Sequence, residues 1–165
     1  LVYMGYPILG VVYVPVSKNL FFAMKGLGSF RMDYVDEACL SENCINSILS
    51  SATKLPVNNK CDVYTVVTSR SHVSPETVEY LEKLKREYGT INTISRCSSL
   101  KICMVAEGNA DIYPRFGNTT EWDTAAGQAI AEEAGCVMVS LEDGKRILYN
   151  KEDIQNPWFV VKRKT

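Results

Sequence analysis

A chain of 165 residues with 46 % hydrophobic content can bury roughly two thirds of its unfolded surface in one domain, or one and a half, without staples. Eighteen Lys and Arg nearly balance nineteen Asp and Glu, which argues against a duplex-DNA surface or a polybasic membrane anchor. Six cysteines (Cys39, Cys44, Cys61, Cys97, Cys103, Cys136) form no C-x-x-C pair, and the single His72 has no second ligand at metal spacing, so no zinc site is expected.

The cysteines sit in apolar runs such as KICMVAEG and read as small buried hydrophobes of a reducing compartment. With no apolar stretch of spanning length, the expected location is cytoplasmic. The chain opens on Leu1, already inside a sheet-like pattern, so a processed protein or part of a longer one is expected.

From Leu1 to Met32 the pattern is an antiparallel meander: LVYM, a turn at Gly5-Tyr6-Pro7, ILGVVYVPV, a polar Ser17-Lys18-Asn19, LFFAM, and SFRM after Gly26 and Gly28. Residues 33–60 are polar and mixed, a connection holding one short edge strand or helical turn. After Cys61 the period changes. VYTVVTS reads as a buried strand. Ser74-Pro75-Glu76 opens a helix with Val78, Leu81, Leu84 and Tyr88 on one face and a stop at Gly89. TINTIS is the next strand, SSLKICMVAEG a short helix capped by Ser98 or Ser99 and closed by Gly108, and ADIYP a third strand. TEWDTAAGQAIAEEAG is a helix ended by Gly135; CVMVS, RILYN and PWFVVK read as strands. Strands alternating with helices imply an α/β layered half. The expected division is residues 1–58, meander strands plus connection, and residues 59–165, an α/β domain.

Four groups carry candidate chemistry. Asp123 sits at a helix start, where free amides and the helix dipole keep a carboxylate ionised. Spacing alone favours a capping box, Thr120-x-x-Asp123; the alternative is a hard-cation ligand beside a phosphate pocket. Ser69-Arg70-Ser71-His72 ends a buried strand, the sheet edge where ligands bind in α/β folds, or is a polar loop with a surface His. Ser98-Ser99-x-Lys101 opens a helix and offers hydroxyls, amides and one cation to a phosphate, although hydroxyl caps are common. Tyr113-Pro114-Arg115 leaves a strand toward the turn that leads to Asp123, where a lone Arg is more often a surface residue. Each group lies at a strand end or helix start, so one side of one sheet gathers them.

At these residues the sequence resembles the lithium-sensitive, Mg²⁺-dependent phosphatase superfamily that includes inositol monophosphatase. WDTAAGQAIAEEAG is similar to its second signature, W-D-x-A-A-G followed by a helix and A-G. SRSH, SSLK-x-C-x-VAEG and YPRFG in that order narrow the resemblance to the 3'(2'),5'-bisphosphate nucleotidases of the CysQ type, and PILGVVYVPV and NPWFVV fit the same family.

The resemblance implies part of a layered α-β-α-β-α sandwich, and hydrolysis of the 3'-phosphate of adenosine 3',5'-bisphosphate to AMP in sulfur assimilation. It implies Mg²⁺ as cofactor, Li⁺ inhibition, a small nucleotide bisphosphate as partner, and neither nucleic acid nor membrane. Carried over residue by residue, Asp123 matches a ligand of metal and substrate. Ser69 and His72 match residues lining the nucleotide, Ser98 and Lys101 residues near its sugar and 5'-phosphate, and Arg115 the Arg of the nucleotide pocket. Cys97 departs from the pattern, standing where relatives usually carry Gly. The family's first signature, D-P-x-D-G-T, which supplies most metal ligands, is absent, and no Asp or Glu occurs before Asp33. The expectation is therefore a C-terminal part, inactive by itself and prone to associate through an exposed sheet. The alternatives are an inositol monophosphatase, disfavoured by the two cations Lys101 and Arg115, and a non-catalytic nucleotide-binding fragment.

Overall fold

The computed structural model describes residues 1–35, 45–58, 61–69 and 74–164. Two larger sheets, a two-stranded hairpin and the helices between and beside the sheets build the fold. The first two strands, β1 (Val2–Tyr3) and β2 (Tyr6–Pro7), form a minimal hairpin. Its turn is Met4-Gly5, both at positive φ (50° and 80°), and not Gly5-Tyr6-Pro7 as expected. Two successive left-handed residues suit the twist of a two-residue hairpin, and Pro7 is free to pair as a strand residue. The meander follows as expected: β3 (Leu9–Val14), β4 (Asn19–Met24) and β5 (Gly28–Met32) pair antiparallel in sequence order. The connection holds both a helix, α1 (Ile45–Ser51), and a two-residue edge strand, β6 (Thr53–Lys54), beside β5.

The second sheet has the order β10-β11-β9-β7-β8. Its parallel part is β7 (Tyr64–Ser69) between β8 (Ile91–Arg96) and β9 (Ile112–Arg115). The last strand, β11 (Phe159–Arg163), inserts antiparallel between β9 and β10 (Cys136–Ser140). The helix α2 (Pro75–Tyr88) begins at Ser74, whose Oγ accepts the Thr77 amide at 3.3 Å, and stops at Gly89 as expected. Its buried face differs from the expected one. Val78 is 49 % exposed, while Thr77 and Leu84 are buried and Tyr88 stacks on Tyr64 with ring centres 3.8 Å apart. The inward spacing is 77, 81, 84, 88, so the stripe begins one residue earlier than the apolar pattern suggests.

Two helices lie between the sheets: α3 (Leu100–Glu107), buried from Lys101 to Glu107, and α4 (Glu121–Glu133). Phe21, Ala23 and Leu55 of the first sheet and its edge pack with Cys103, Ala106 and Ile130 of the helices. On their other side Ile102, Val105 and Ala131 join Val67, Tyr113, Met138, Phe159 and Val161 of the second sheet. Leu84 of α2 covers that sheet's far face against Val66, Ile112 and Val160. The layers therefore run meander, helix pair, mixed sheet, α2, which is the β-α-β-α part of the expected sandwich.

Small residues set the spacing. A Cβ on Gly10 would collide with the Ala126 carbonyl, and one on Gly127 would stand 2.8 Å from Ile102 Cδ1. The Ala-Ala-Gly run thus lets α4 lie against β3 and α3. The segment RILYN is not a strand; it makes only the isolated bridge Val139–Arg146. Its Tyr149 amide donates instead to the Gly5 carbonyl at 3.0 Å, and its Ile147 and Tyr149 side chains are buried. The apolar alternation was real, but its inward residues serve α4 and the hairpin and not a sheet ladder.

Candidate active site

The loop before α3, the end of β9 and the first turn of α4 meet at the C-terminal edge of β7. Ser69, Ser98, Lys101, Arg115 and Asp123 line one cavity of about 320 Å³, together with Arg96, Cys97, Ser99, Tyr113, Asn118 and Thr124. Five of the six expected site residues are brought together; the sixth, His72, lies outside the described residues. Three cations (Arg96, Lys101, Arg115) face one carboxylate (Asp123) among the residues that line it. The space therefore favours an anion.

Each charged group is fixed by its local fold. Arg115 closes β9, donates from Nη1 to Ser69 Oγ at 3.1 Å and from Nη2 to the Asn118 carbonyl at 3.2 Å, and leaves its buried Nε without a partner. Lys101 is only 5 % exposed although it carries a charge. Its Nζ donates to the Ser98 carbonyl at 3.0 Å and lies 5.2 Å from the centre of the Tyr113 ring. Burial lowers its pKa, the Arg115 guanidinium lowers it further, and Cys97 acts the other way. The cation is thus held where a bound anion would relieve its desolvation. Tyr113, which the sequence offered only within the Tyr113-Pro114-Arg115 group and with no role of its own, has its phenol pushed up to about 12 by burial, opposed by Arg115 and Ser69.

The two helix starts differ. Ser98 carries φ 51° and turns the chain into α3. Ser99 is the N-cap residue by position, yet its side chain caps nothing. Its hydroxyl donates to the Asp123 carbonyl at 3.2 Å, tying one helix start to the other. At α4 the expected capping box forms: Asp123 Oδ2 accepts the Thr120 amide at 2.8 Å and the Thr120 hydroxyl at 2.9 Å. Capping engages Oδ2 only, and Asp123 still lines the cavity, so both readings of this residue fit the geometry. Trp122 beside it is 71 % exposed. Cys97 is an exposed thiol on the cavity wall.

A second cavity of about 350 Å³ adjoins this one across Ser69, Arg115 and Asn118, and Pro114, Phe116 and Thr77 line it. Among the described residues no three or more His, Cys, Asp or Glu side chains come together as a metal-binding group. The donors present thus fit a share in a metal site, one hard oxygen from Asp123, and not a complete one.

A mixed sheet, a helix pair and an anion-favouring cavity with one capped carboxylate define an α/β protein with a charged pocket at one sheet edge. The chain belongs to the inositol monophosphatase family, whose family model matches residues 1–162. It is 40 % identical over 162 residues to the 3'(2'),5'-bisphosphate nucleotidase CysQ of Salmonella typhimurium, covering 98 % of this chain and 57 % of that protein. Its Escherichia coli counterpart is 40 % identical over 158 residues, 95 % of this chain and 55 % of that protein. The crystal structure of CysQ from Bacteroides thetaiotaomicron superposes with a TM-score of 0.92 at 42 % identity, covering 99 % of this chain and 60 % of that one. The inositol monophosphatase II of Staphylococcus aureus shares the fold at 18 % identity, with a TM-score of 0.67 over 97 % of this chain and 52 % of that one. This chain therefore spans somewhat over half the length of the relatives it matches.

Proposed function

We propose that the protein acts as a 3'(2'),5'-bisphosphate nucleotidase, removing the 3'-phosphate of adenosine 3',5'-bisphosphate to leave AMP in cytoplasmic sulfur assimilation. One observation carries the reading: Lys101 and Arg115, with Arg96 at the rim, line the same cavity as Asp123. A substrate with one phosphate beside the carboxylate and a second among the cations matches that charge pattern. Inositol monophosphate has no second phosphate to meet them. The 40 % identity to CysQ proteins supports the same choice. No helix of the described residues is long and apolar enough to cross a membrane.

In this reading Asp123 offers Oδ1 as an oxygen ligand while Thr120 holds Oδ2 and fixes the carboxylate plane. Mg²⁺, when bound, supplies Lewis-acid stabilisation of the phosphoryl oxygens and lowers the pKa of a water; Li⁺ inhibition follows from the same site. Lys101 and Arg115 hold the 5'-phosphate, Ser98 borders the sugar, and Ser69 keeps Arg115 aimed. The adjoining cavity, with Phe116 and Pro114 in its wall, takes the nucleoside. With one donor in place among the described residues, the 165 residues by themselves bind nucleotide more readily than they cleave it. Leu9, Val11, Tyr13 and Met24 leave the meander's outer face apolar and exposed, and copies of the chain associate through it.

The test is Mg²⁺-dependent phosphate release from adenosine 3',5'-bisphosphate and from inositol 1-phosphate, by these 165 residues and by a longer polypeptide containing them. The longer form hydrolyses the nucleotide and the 165 residues release little phosphate. Release from the inositol ester alone would overturn the substrate, and turnover by the 165 residues matching an intact relative would overturn the incomplete donor set.

A further inference from the structure

Behind the first turn of α4, reaching the cavity wall at Thr119 and Thr124, lies a line of polar side chains that no step above uses. Thr124 is 2 % exposed and Gln128 fully buried; Tyr149 and Asn156 are buried with them. Asn156 Nδ2 donates to the Thr120 carbonyl at 2.7 Å and to Thr124 Oγ1 at 3.0 Å, with Thr119 Oγ1 at 3.2 Å. Its backbone amide donates to the Thr119 carbonyl at 2.9 Å. One side chain therefore grips the residue before the cap, the cap and the fourth helical residue, which flank Asp123 on both sides.

The donors and acceptors can be counted. Gln128 Nε2 is committed to the Ile147 carbonyl at 3.1 Å and Glu132 Oε1 at 2.9 Å, so its oxygen can only accept. The Tyr149 hydroxyl reaches that oxygen at 2.6 Å and Thr124 Oγ1 at 3.2 Å. A phenol has one proton, and Gln128 takes it at the shorter distance; the Thr124 hydroxyl then has two acceptors in reach, the phenol oxygen at 3.2 Å and the Glu121 carbonyl at 3.4 Å. Thr124 in turn accepts from Asn156. Asn156 thus donates to Thr124, Tyr149 to Gln128 and Gln128 to Glu132, and Arg146 pairs with Glu132 at the end of the line, Nε to Oε1 at 2.6 Å. Asn156 Oδ1 has no partner among the described residues, and the bonds its Nδ2 makes to Thr120 and Thr124 hold the side chain to the α4 start. Apolar side chains of equal volume would fill the space but would not fix the rotation of the turn.

We propose that Thr124 and Asn156 are positioning residues for Asp123, setting the carboxylate from behind through the α4 cap; the catalytic consequence rests on the nucleotidase reading. Thr124 is the node, because its hydroxyl alone joins Asn156 to Tyr149. Outer-shell partners of this kind change activity by about ten- to a hundredfold when lost.

The experiment compares Thr124→Val, which keeps the shape and deletes the hydroxyl, with Thr124→Ser, which keeps the hydroxyl. The first readout is the ¹H-¹⁵N shift of the Thr120 amide, which reports its bond to Asp123 Oδ2, against shifts of β10 and β11 amides. Thr124→Val moves the Thr120 amide upfield and leaves the strands in place, and Thr124→Ser stays near the parent. The second readout is turnover of adenosine 3',5'-bisphosphate by the longer active form, where Thr124→Val lowers kcat about tenfold or more with KM within about twofold. Equal effects of the two variants, or a shift spread evenly over the strand amides, would overturn the proposal. A parent without activity on the nucleotide would sink the functional reading, while the amide comparison would still decide the positioning role.

Discussion

The two helices between the sheets point their first turns into the same cavity, and they finish those turns in opposite ways. α4 is closed: Thr120 and Asp123 form a capping box, Asn156 grips the turn from behind, and the Glu121 carboxylate accepts the Asn150 and Lys151 amides. α3 is open: its N-cap Ser99 makes no capping bond with its side chain, and its first turn contributes the buried cation Lys101. Closure holds an anion rigid, as the proposed metal and reacting phosphate would require of one fixed oxygen. Openness leaves a cationic first turn to a ligand. The same element, a helix start, is thus used once as scaffold for a carboxylate and once as an anion seat.

The comparison breaks most severely at Asp123. Asp123→Asn keeps an acceptor for the Thr120 amide but loses the charge, so turnover falls about a hundredfold or more while thermal unfolding shifts by only a few degrees. Steady-state kinetics with a melting curve decides it. A loss of activity that merely tracks a loss of stability would reduce Asp123 to its cap.

A smaller effect comes from the open helix. Lys101→Met removes one charged bond, so KM for adenosine 3',5'-bisphosphate rises about tenfold, while adenosine 3'-phosphate is little affected. Burial, and after it Arg115, holds the Lys101 pKa below its ordinary 10.5. As pH rises toward 10.5 the folded lysine loses its proton before the unfolded one does. The unfolded state then binds more protons, so stability rises with pH across that window while bisphosphate binding weakens. Titrations of melting temperature and KM in parent and Lys101→Met check both signs; identical profiles in the two proteins would contradict the assignment.

The smallest effect separates the two caps. Thr120→Ala removes the hydroxyl that donates to the Asp123 carboxylate and lowers stability by about 1 kcal/mol. Ser99→Ala changes it by about 0.5 kcal/mol or less, because its hydroxyl reaches the Asp123 carbonyl and caps nothing. Chemical denaturation of both variants measures the difference, and equal losses would erase the contrast.

Much of this was legible in the sequence where one local signal decides. The Ser74-Pro75 start and Gly89 stop of α2, the meander alternation and the Thr120-x-x-Asp123 box are short-range patterns, and each lies where expected. Ser69, Ser98, Lys101, Arg115 and Asp123 were legible because each stands at a strand end or helix start, and topology alone brings such ends to one edge. Tertiary demands hid the rest. RILYN alternates like a strand, but its buried Tyr149 carries the polar line beneath α4. Val78 is apolar and exposed because the α2 stripe is set by Leu84 and Tyr88 against the sheet. Asn156 gave no local sign, since its partners lie 32 to 37 residues away in sequence.

The central claim is that the cavity reads a second phosphate through the open helix and β9. The most direct measurement is the ratio of kcat/KM for adenosine 3',5'-bisphosphate to that for adenosine 3'-phosphate, in the longer active form with Mg²⁺. Two charged contacts at Lys101 and Arg115 predict a ratio above about ten, falling toward one in Lys101→Met. A ratio near one in the parent would contradict the account.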